Sequence, residues 1–440
     1  MYDILVTFVV LLFALIGGVI VIRNPHIGAA LTISSSAIIE LIPPIPFLSS
    51  AIPLLGAVTL FGYLINIRGV AGKVQLNLSN LHFVSLLFII WIFISNPQAA
   101  WLGPERNWIF TFVQLLVLMI MAMDILDDPR KHHAVMAIFA VIAVFSAYTA
   151  ITQGHIGEDI DSSTRAVGFT AGANDAARYF VVAMIFTTYL RTQVTQPLHR
   201  FLLFIAIIIT YLGVFFTTSR TGMVLLLLAQ LLLFYFQHEG KQRLQLMIIF
   251  GVAFILLITL ANPILSIISG ILPSITQGTD TVGLRYDLWR AGWMMWLDHP
   301  FTGVGIGQFV HNSSRYMSQL PGVMPRELVA HNIYIQILAE TGIIGLILFI
   351  SIVAIAMSNF IKARRIQQPE QLNLRNTWLI VLIVMLIGGL TKTDQADKLL
   401  WMVLGLSVYF SRLVDEAGKE KAPAEEIPKT LWKQNYAKRQ

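Results

Sequence analysis

One histidine lies where a long polar segment gives way to an apolar helix. In VAHNIYIQILAETGIIGLILFI, His331 and Asn332 directly precede the apolar run. Histidine is the side chain best suited to general-base chemistry near neutral pH, and the positive end of a helix dipole disfavours its protonation. His331 is therefore the candidate catalytic base. On position alone, an interfacial histidine that only hydrogen-bonds lipid headgroups explains it equally well.

A polar stripe follows the histidine into the apolar run. Asn332, Gln336 and Glu340 are spaced by four, which places them on one face of a helix. An ionisable residue such as Glu340, deep in an apolar helix, must face protein and a partner. We expect one of the arginines described next to be that partner.

A set of arginines lies on the side of the membrane that we predict to be external. Lysine is missing from the same positions between residues 96 and 330. Guanidinium is a planar fork that binds phosphate oxygens in pairs, so the set predicts a site for an anionic, phosphate-bearing ligand. The alternative is that single arginines pair with carboxylates or reach the membrane interface. The set comprises Arg106, Arg165, Arg178, Arg220, Arg285, Arg290, Arg315 and Arg326.

Two local patterns strengthen this interpretation. Arg220, in TTSRTG, separates two apolar runs with almost no loop, and charge held at the membrane edge is usually functional. Arg285 and Arg290 lie in GLRYDLWRAGWMMWLDHP, where tryptophans at 289, 293 and 296 share one helical face. Such a helix suits the membrane interface and would place Arg285 beside a lipid phosphate. A plain amphipathic anchor is the alternative.

The elements that must position these residues are membrane helices. The 440 residues are 56% hydrophobic and only 12% charged, whereas soluble proteins carry about 25% charged residues. The sequence contains no cysteine, which excludes disulfides and thiol chemistry. The net charge of +6 comes largely from short loops and a basic tail, so no nucleic-acid partner is expected.

Thirteen apolar runs predict an all-α, polytopic membrane protein. Lys and Arg in alternate short loops predict which loops are cytoplasmic. Parity then requires one broken or partly re-entrant crossing, which we place near Glu40 and the prolines at 43, 44 and 46. We thus expect about 12 spans, both termini in the cytoplasm and one long external segment, residues 262–330. Residues 1–414 form the membrane domain, and residues 415–440 form a charged cytoplasmic tail.

Four motifs in order resemble the O-antigen ligase and polymerase superfamily. They are RAVGFTAGANDAARYF, TTSRTG, GLRYDLWRAGWMMWLDHPFTGVGIGQF and AHNIYIQILAETGIIG, between residues 165 and 350. Each motif alone is weak, but the ordered set with a long external loop before the histidine is fairly specific. RNPHIG, after the first helix, is loosely similar to a proteobacterial ligase branch.

The resemblance implies a reaction and a location. The donor would be a glycan on undecaprenyl pyrophosphate, and the acceptor a sugar hydroxyl on lipid A–core. Transfer would invert the anomeric centre, without nucleotide, metal or other cofactor, at the periplasmic face of the bacterial inner membrane.

The resemblance also implies roles for individual residues. His331 matches the family's proposed base, and Arg220 and Arg285 match arginines that hold the pyrophosphate. Arg165 and Arg290 join them as phosphate-binding candidates, and Asn332 and Glu340 as supporting residues. Asp394, in TKTDQADK, matches a family aspartate less securely, and the adjacent Lys392 and Lys398 weaken a pure acid role.

Other functions remain open from the sequence. An O-antigen polymerase or a protein O-oligosaccharyltransferase would use the same donor and the same residues. A lipid-linked-sugar transporter or flippase is the alternative from another class, since Glu340 and a broken helix would fit one. Against transport, the polar residues gather on one side of the membrane, and the two halves show no matching interruptions.

Overall fold

The computed structural model describes most of the chain. The described residues are 15–37, 51–71, 78–95, 106–153, 156–158, 164–170, 172–237, 245 and 281–421. The predicted runs Leu246–Ala261 and most of Ile4–Ile22 lie outside them, as does the part of the predicted tail after residue 421.

The described residues are almost entirely helical, which agrees with the predicted all-α class. Two three-residue strands, β1 (Ile156–Glu158) and β2 (Thr164–Ala166), pair antiparallel, a small feature that the prediction lacked. The helices are α1 (Leu15–Arg23), α2 (Pro25–Ser34), α3 (Ala51–Ala71), α4 (Asn80–Ser95), α5 (Arg106–Ile125), α6 (Pro129–Gln153), α7 (Ala173–Gln193), α8 (Pro197–Phe216), α9 (Arg220–Gln237), α10 (Thr281–Asp298), α11 (Phe309–Met317), α12 (Ile333–Lys362), α13 (Pro369–Gly388) and α14 (Lys398–Lys421).

Several helices are long and apolar enough to cross a membrane. Among the described residues there are 5, or up to 6 if the bent pair α1 and α2 is one span. Shorter apolar helices are Ile52–Asn66, Asn80–Ser95 and Arg220–Phe236. The apolar helices indicate a membrane protein, while about 12 crossings and the long periplasmic loop stay predictions.

The chain bends sharply near its beginning. The chain bends by 117° between α1 and α2, at Asn24. The backbone N–H of Asn24 still bonds the carbonyl of Ile20 at 2.9 Å. Pro25 begins α2, at a position where a helix tolerates the missing N–H. A break thus occurs earlier than the predicted one at Glu40 and its prolines, which lies outside the described residues.

Helix α7 is buried on nearly every side. Its buried residues include alanines at 173, 176, 177 and 183, and small side chains let neighbouring helices approach closely. Gly213 of α8 shows this approach, because a Cβ there would lie 2.9 Å from the ring of Phe180. Since α7 is enclosed by protein, it can carry a charged residue, Arg178, with only 3% of its surface exposed.

Helix α12 is interrupted at Gly342, and the segment after α10 fills the break. Gly342 has φ 68°, which L-residues adopt only with strain. The N–H groups of Val304 and Gly305 bond the carbonyls of Ala339 and Glu340, each at 2.9 Å. The N–H of Ile343 bonds the carbonyl of Pro300 at 2.9 Å. A broken helix is tolerated because its freed backbone groups find partners within the protein.

Helix α14 continues into the segment predicted as a tail. It ends at Lys421, and Asp415 forms an ion pair with Lys362, near the end of α12, at 2.7 Å. Residues 415–421 of the predicted tail are therefore helical.

Candidate active site

His331 lies in an unusual backbone conformation between two fixed residues. Its φ is 49°, in the left-handed region that residues with a Cβ adopt at a cost. Asn332, which follows, is the N-cap of α12, and its side-chain oxygen accepts bonds from the N–H groups of Tyr334 and Ile335 at 2.9 and 3.1 Å. The helix start therefore fixes the backbone on one side of the histidine.

Ala330 fixes the backbone on the other side. Its carbonyl accepts a bond from the indole nitrogen of Trp289 at 2.9 Å, and its N–H donates to the side-chain oxygen of Gln336 at 2.9 Å. Both polar groups of the residue before His331 are thus held, one by α10 and one by α12. Non-glycine residues in this conformation persist when their surroundings hold them, and such strain is common at functional sites.

Glu340 has a different environment from the predicted one. It is fully buried, and its Oε1 accepts from the N–H of Phe309 at 3.2 Å and from Gln336 Nε2 at 2.5 Å. Its Oε2 has no hydrogen-bond partner among the described residues. The prediction of an arginine partner was wrong, because the start of α11 brings the N–H of Phe309 within hydrogen-bond distance of this carboxylate, and Gln336 supplies a second donor. The predicted stripe is present: Asn332 and Gln336 bond the backbone on either side of His331, and Glu340 bonds Gln336 and the N–H of Phe309.

The tryptophans of α10 do not share one role. Trp289 is half-buried and bonds Ala330, whereas Trp293 is exposed and packs edge-on against Trp296, with 4.6 Å between ring centroids. Trp296 donates to the carbonyl of Pro300 at 3.1 Å. The exposed face of α10 instead comprises Tyr286, Arg290, Trp293 and Leu297. The predicted interfacial face is therefore offset from the one that the structure exposes.

A hydrogen bond joins the end of α10 to α11. Tyr316 of α11 donates to Asp298 at 2.7 Å, and burial together with this bond raises the pKa of the Tyr316 phenol to about 12. The phenol therefore stays protonated at neutral pH, and the bond persists. This contact helps to fix the segment that enters the α12 break.

The candidate phosphate-binding arginines occupy different positions. Arg285 is half-buried on α10, one turn before Trp289, and Arg290 is exposed beside Asp287, at 4.0 Å. Arg290 also lies over the Tyr286 ring, 5.9 Å from its centroid. Arg165 lies in β2, where its backbone faces Gly157. The structure thus ties Arg285 to the His331 region through α10.

Arg220 begins α9 and is exposed. The turn before it is well defined: Thr218 has φ 51°, and Ser219 Oγ donates to the side-chain oxygen of Asn174 at 2.6 Å. The same hydroxyl accepts from the N–H of Gly222 at 3.1 Å. The turn that carries Arg220 therefore rests on the first turn of α7.

Asp394 belongs to a charged cluster that the sequence did not reveal. Arg178 donates to Asp394 and, at 3.1 Å, to Asp397, and lies 3.5 Å from Asp175. Lys392 forms ion pairs with Asp175 and with Asp394, at 3.5 Å to the latter. Asp394 is thus a partner of Arg178 and Lys392, while its role in the reaction stays a prediction. Arg178 was only one of the external arginines, and its spacing of three from Asp175 was the available signal.

Two glycines connect the charged cluster with the histidine. The N–H of Ile333 donates to the carbonyl of Gly389 at 2.8 Å, and a Cβ on Gly388 would lie 3.4 Å from Arg178 Cδ. The end of α13 thus lies between the start of α12 and the middle of the cluster. Asn174, which holds the Arg220 turn, is one helical turn before Arg178. The structure therefore gathers His331, Arg220 and Asp394 at one end of the bundle.

This arrangement defines a class of protein: an all-helical membrane protein whose polar groups collect where several helices start or end. Residues 204–350 match the model of the family described as O-antigen ligase, which agrees with the predicted resemblance at the level of the family. The match includes the motifs with Arg220, Arg285, Arg290, His331 and Glu340, and it ends before Asp394. No curated protein matches the chain.

Within the described ranges, no group of three or more His, Cys, Asp or Glu side chains is arranged to hold a metal ion. The three aspartates around Arg178 are instead turned toward cations.

Proposed function

We propose that the protein is an O-antigen ligase of lipopolysaccharide biosynthesis. It would transfer a glycan from undecaprenyl pyrophosphate to a sugar hydroxyl of lipid A–core at the periplasmic face of the inner membrane. The observation that carries the proposal is the strained backbone of His331, fixed by Ala330 and Asn332 within the family-matched segment. A general base must be held within hydrogen-bond reach of the hydroxyl whose proton it takes, and a fixed backbone at the helix start would hold the His331 imidazole in this way.

In the proposed step, the imidazole of His331 takes the proton of the acceptor hydroxyl. The hydroxyl oxygen then bonds the anomeric carbon of the donor, on the face opposite the pyrophosphate. The bond between that carbon and the pyrophosphate oxygen breaks with its electron pair, so the anomeric centre inverts and undecaprenyl pyrophosphate leaves. Neither oxidant nor nucleotide is consumed.

The leaving pyrophosphate gains negative charge as the bond breaks. Arg220 is exposed at the start of α9, and Arg285 lies one turn before the tryptophan that holds Ala330. We assign these two guanidinium groups to the pyrophosphate, with Arg165 and Arg290 as further contacts, because donors aimed at developing charge contribute strongly to catalysis. In this scheme, the charge-stabilising role belongs to arginines and needs no metal.

The test is a transfer assay with purified protein, undecaprenyl-pyrophosphate-linked glycan and lipid A–core, with EDTA present. We expect wild type to yield glycan-capped lipid A–core, and folded His331→Ala and Arg220→Ala to be inactive. His299→Ala, on an exposed residue of the same segment, and Arg200→Ala, on an exposed arginine of α8, are the controls and should retain activity.

Other products would assign other functions. Lengthening of the lipid-linked glycan identifies a polymerase, and transfer to a protein identifies an oligosaccharyltransferase; both keep the site. If folded wild type transfers glycan to none of these acceptors, the proposal that the protein is a glycosyltransferase is refuted. Transport of the lipid-linked sugar is then measured in vesicles.

A further inference from the structure

A small cavity lies beside the charged cluster. Its volume is about 260 Å³, and its lining includes Trp108 at the start of α5, Arg178 of α7 and residues 392–397. Pockets for drug-sized ligands begin at about 300 Å³, so this cavity suits a smaller molecule or a single ring of a larger one. It occupies the same end of the bundle as His331.

The lining contains buried polar atoms that lack a hydrogen-bond partner among the described residues. Gln395 is 2% exposed, and neither its Oε1 nor its Nε2 has a hydrogen-bond partner within the described part of the chain. Thr393 Oγ1 and Arg178 Nε share this state. The Gln395 backbone is fixed, because its carbonyl accepts from the indole of Trp401 at 2.8 Å. A buried amide without partners costs about 1–3 kcal/mol, and native proteins keep few of them.

The chemistry of the lining argues against an anion or a metal ion as ligand. Arg178 and Lys392 already face the carboxylates of Asp175, Asp394 and Asp397. The cations are therefore compensated, and the carboxylates are occupied by cations. Apart from Nε of the charge-compensated Arg178, the lining atoms that lack a partner among the described residues belong to neutral groups: the Gln395 amide and the Thr393 hydroxyl, each of which both donates and accepts.

We propose that this cavity binds one sugar ring of a glycan substrate. The hydroxyls of a sugar both donate and accept, so they complement Gln395 and Thr393, and the carboxylates of the cluster accept further bonds. The indole of Trp108 offers an aromatic face to the apolar C–H face of the ring. The ligand class is thus a neutral hexose or N-acetylhexosamine.

This inference rests on the proposed function and extends it to a sugar-binding position. The cavity adjoins Arg178, which packs on Gly388, while Gly389 bonds Ile333, two residues after His331. A ring held there lies against the charged cluster, whose Arg178 packs on the same end of α13 that bonds the start of α12. Its source is the donor glycan or the core acceptor, and the experiment below separates the two.

The first arm measures binding without any reaction. Saturation-transfer NMR is recorded on the full chain in detergent with glucose, galactose and N-acetylglucosamine as probes. Wild type should transfer saturation to the ring protons of at least one sugar, and Gln395→Leu should weaken this signal about tenfold. The thermal midpoint of Gln395→Leu should be unchanged or raised, because the lost amide makes no internal hydrogen bond. Gln114→Leu, the same change in a separate apolar cavity, is the matched control and should bind as wild type does.

The second arm assigns the ring to a substrate. In the transfer assay, Gln395→Leu should raise the KM for the donor if the ring is the donor's, or for lipid A–core if it is the acceptor's. Equal NMR signals from wild type and Gln395→Leu, no signal with any of the three sugars, or two unchanged KM values would overturn the proposal. If wild type transfers nothing but the NMR difference persists, the ligase function fails and the sugar site stands.

Discussion

The indole nitrogen of Trp289 donates a hydrogen bond to the carbonyl oxygen of Ala330 over 2.9 Å, directly before the histidine proposed as the base. This bond connects α10, which carries Arg285, to the start of α12. One side-chain contact therefore links the helix of a candidate phosphate-binding arginine to the backbone beside the proposed base. Through this contact, a change on α10 can alter the histidine without touching it.

Trp289→Phe tests this positioning role. Phenylalanine keeps the ring and loses the donor, so Ala330 and the His331 backbone lose one restraint. Because one hydrogen bond contributes about 0.5–1.5 kcal/mol, we expect the turnover number to fall about fivefold to tenfold, with the KM for the donor nearly unchanged. Trp293→Phe, on the exposed face of α10, should leave both values as in wild type. Equal turnover in Trp289→Phe and wild type would contradict the role.

The interruption of α12 gives a prediction about stability. A Cβ on Gly342 would collide with the carbonyl of Phe301, and its φ of 68° would strain any other residue. Gly322 has a similar φ of 72° but open space around it. Gly322→Ala should therefore cost only the backbone term, about 1–2 kcal/mol, whereas Gly342→Ala adds about 1–3 kcal/mol of overpacking. Thermal unfolding in detergent, followed by tryptophan fluorescence, measures both; equal midpoint shifts would refute this account of the break.

The sequence predicted the features that depend on local pattern. Helices such as α4 and α5 coincide with the predicted apolar runs Leu81–Ser95 and Trp108–Ile125, because length and hydropathy are properties of contiguous residues. The stripe of Asn332, Gln336 and Glu340 was predicted for the same reason, since a spacing of four fixes a helical face.

Features that depend on distant residues could not be predicted in this way. The partner of Glu340 comes from the backbone of Phe309, 31 positions away, and that of Arg178 from Asp394, 216 positions away. From charge alone, the sequence suggested an arginine as the partner of Glu340 and a phosphate as the partner of Arg178. Asn332 as an N-cap was within reach, because asparagine directly before a helical run is a common start signal.

Variants of Asp394 and Arg178 test whether Asp394 stabilises the fold or takes part in the reaction. Breaking a buried ion pair leaves one charge uncompensated, so Asp394→Ala and Arg178→Met should each destabilise the protein by about 3–5 kcal/mol. The double variant should cost less than the sum, with a coupling energy of about 1–3 kcal/mol. The exposed pair of Lys362 and Asp415 is the control, and Lys362→Met should cost under about 1 kcal/mol. If Asp394→Ala is as stable as wild type yet inactive, the aspartate acts in the reaction rather than in the cluster.

Arg220 differs from the buried Arg178, because it is exposed and begins its helix. Arg220→Lys keeps the charge and loses the planar fork that binds two phosphate oxygens together. We expect an unchanged thermal midpoint, transfer reduced about tenfold in Arg220→Lys and about a hundredfold or more in Arg220→Ala. Arg200→Lys, the same change in an exposed arginine of α8, should transfer glycan as wild type does. Full activity in Arg220→Lys would show that charge alone suffices, and full activity in Arg220→Ala would remove this arginine from the site. A lowered midpoint in either variant would mean that the Arg220 side chain stabilises the turn that Ser219 and Asn174 already hold, so its effect on transfer would be indirect.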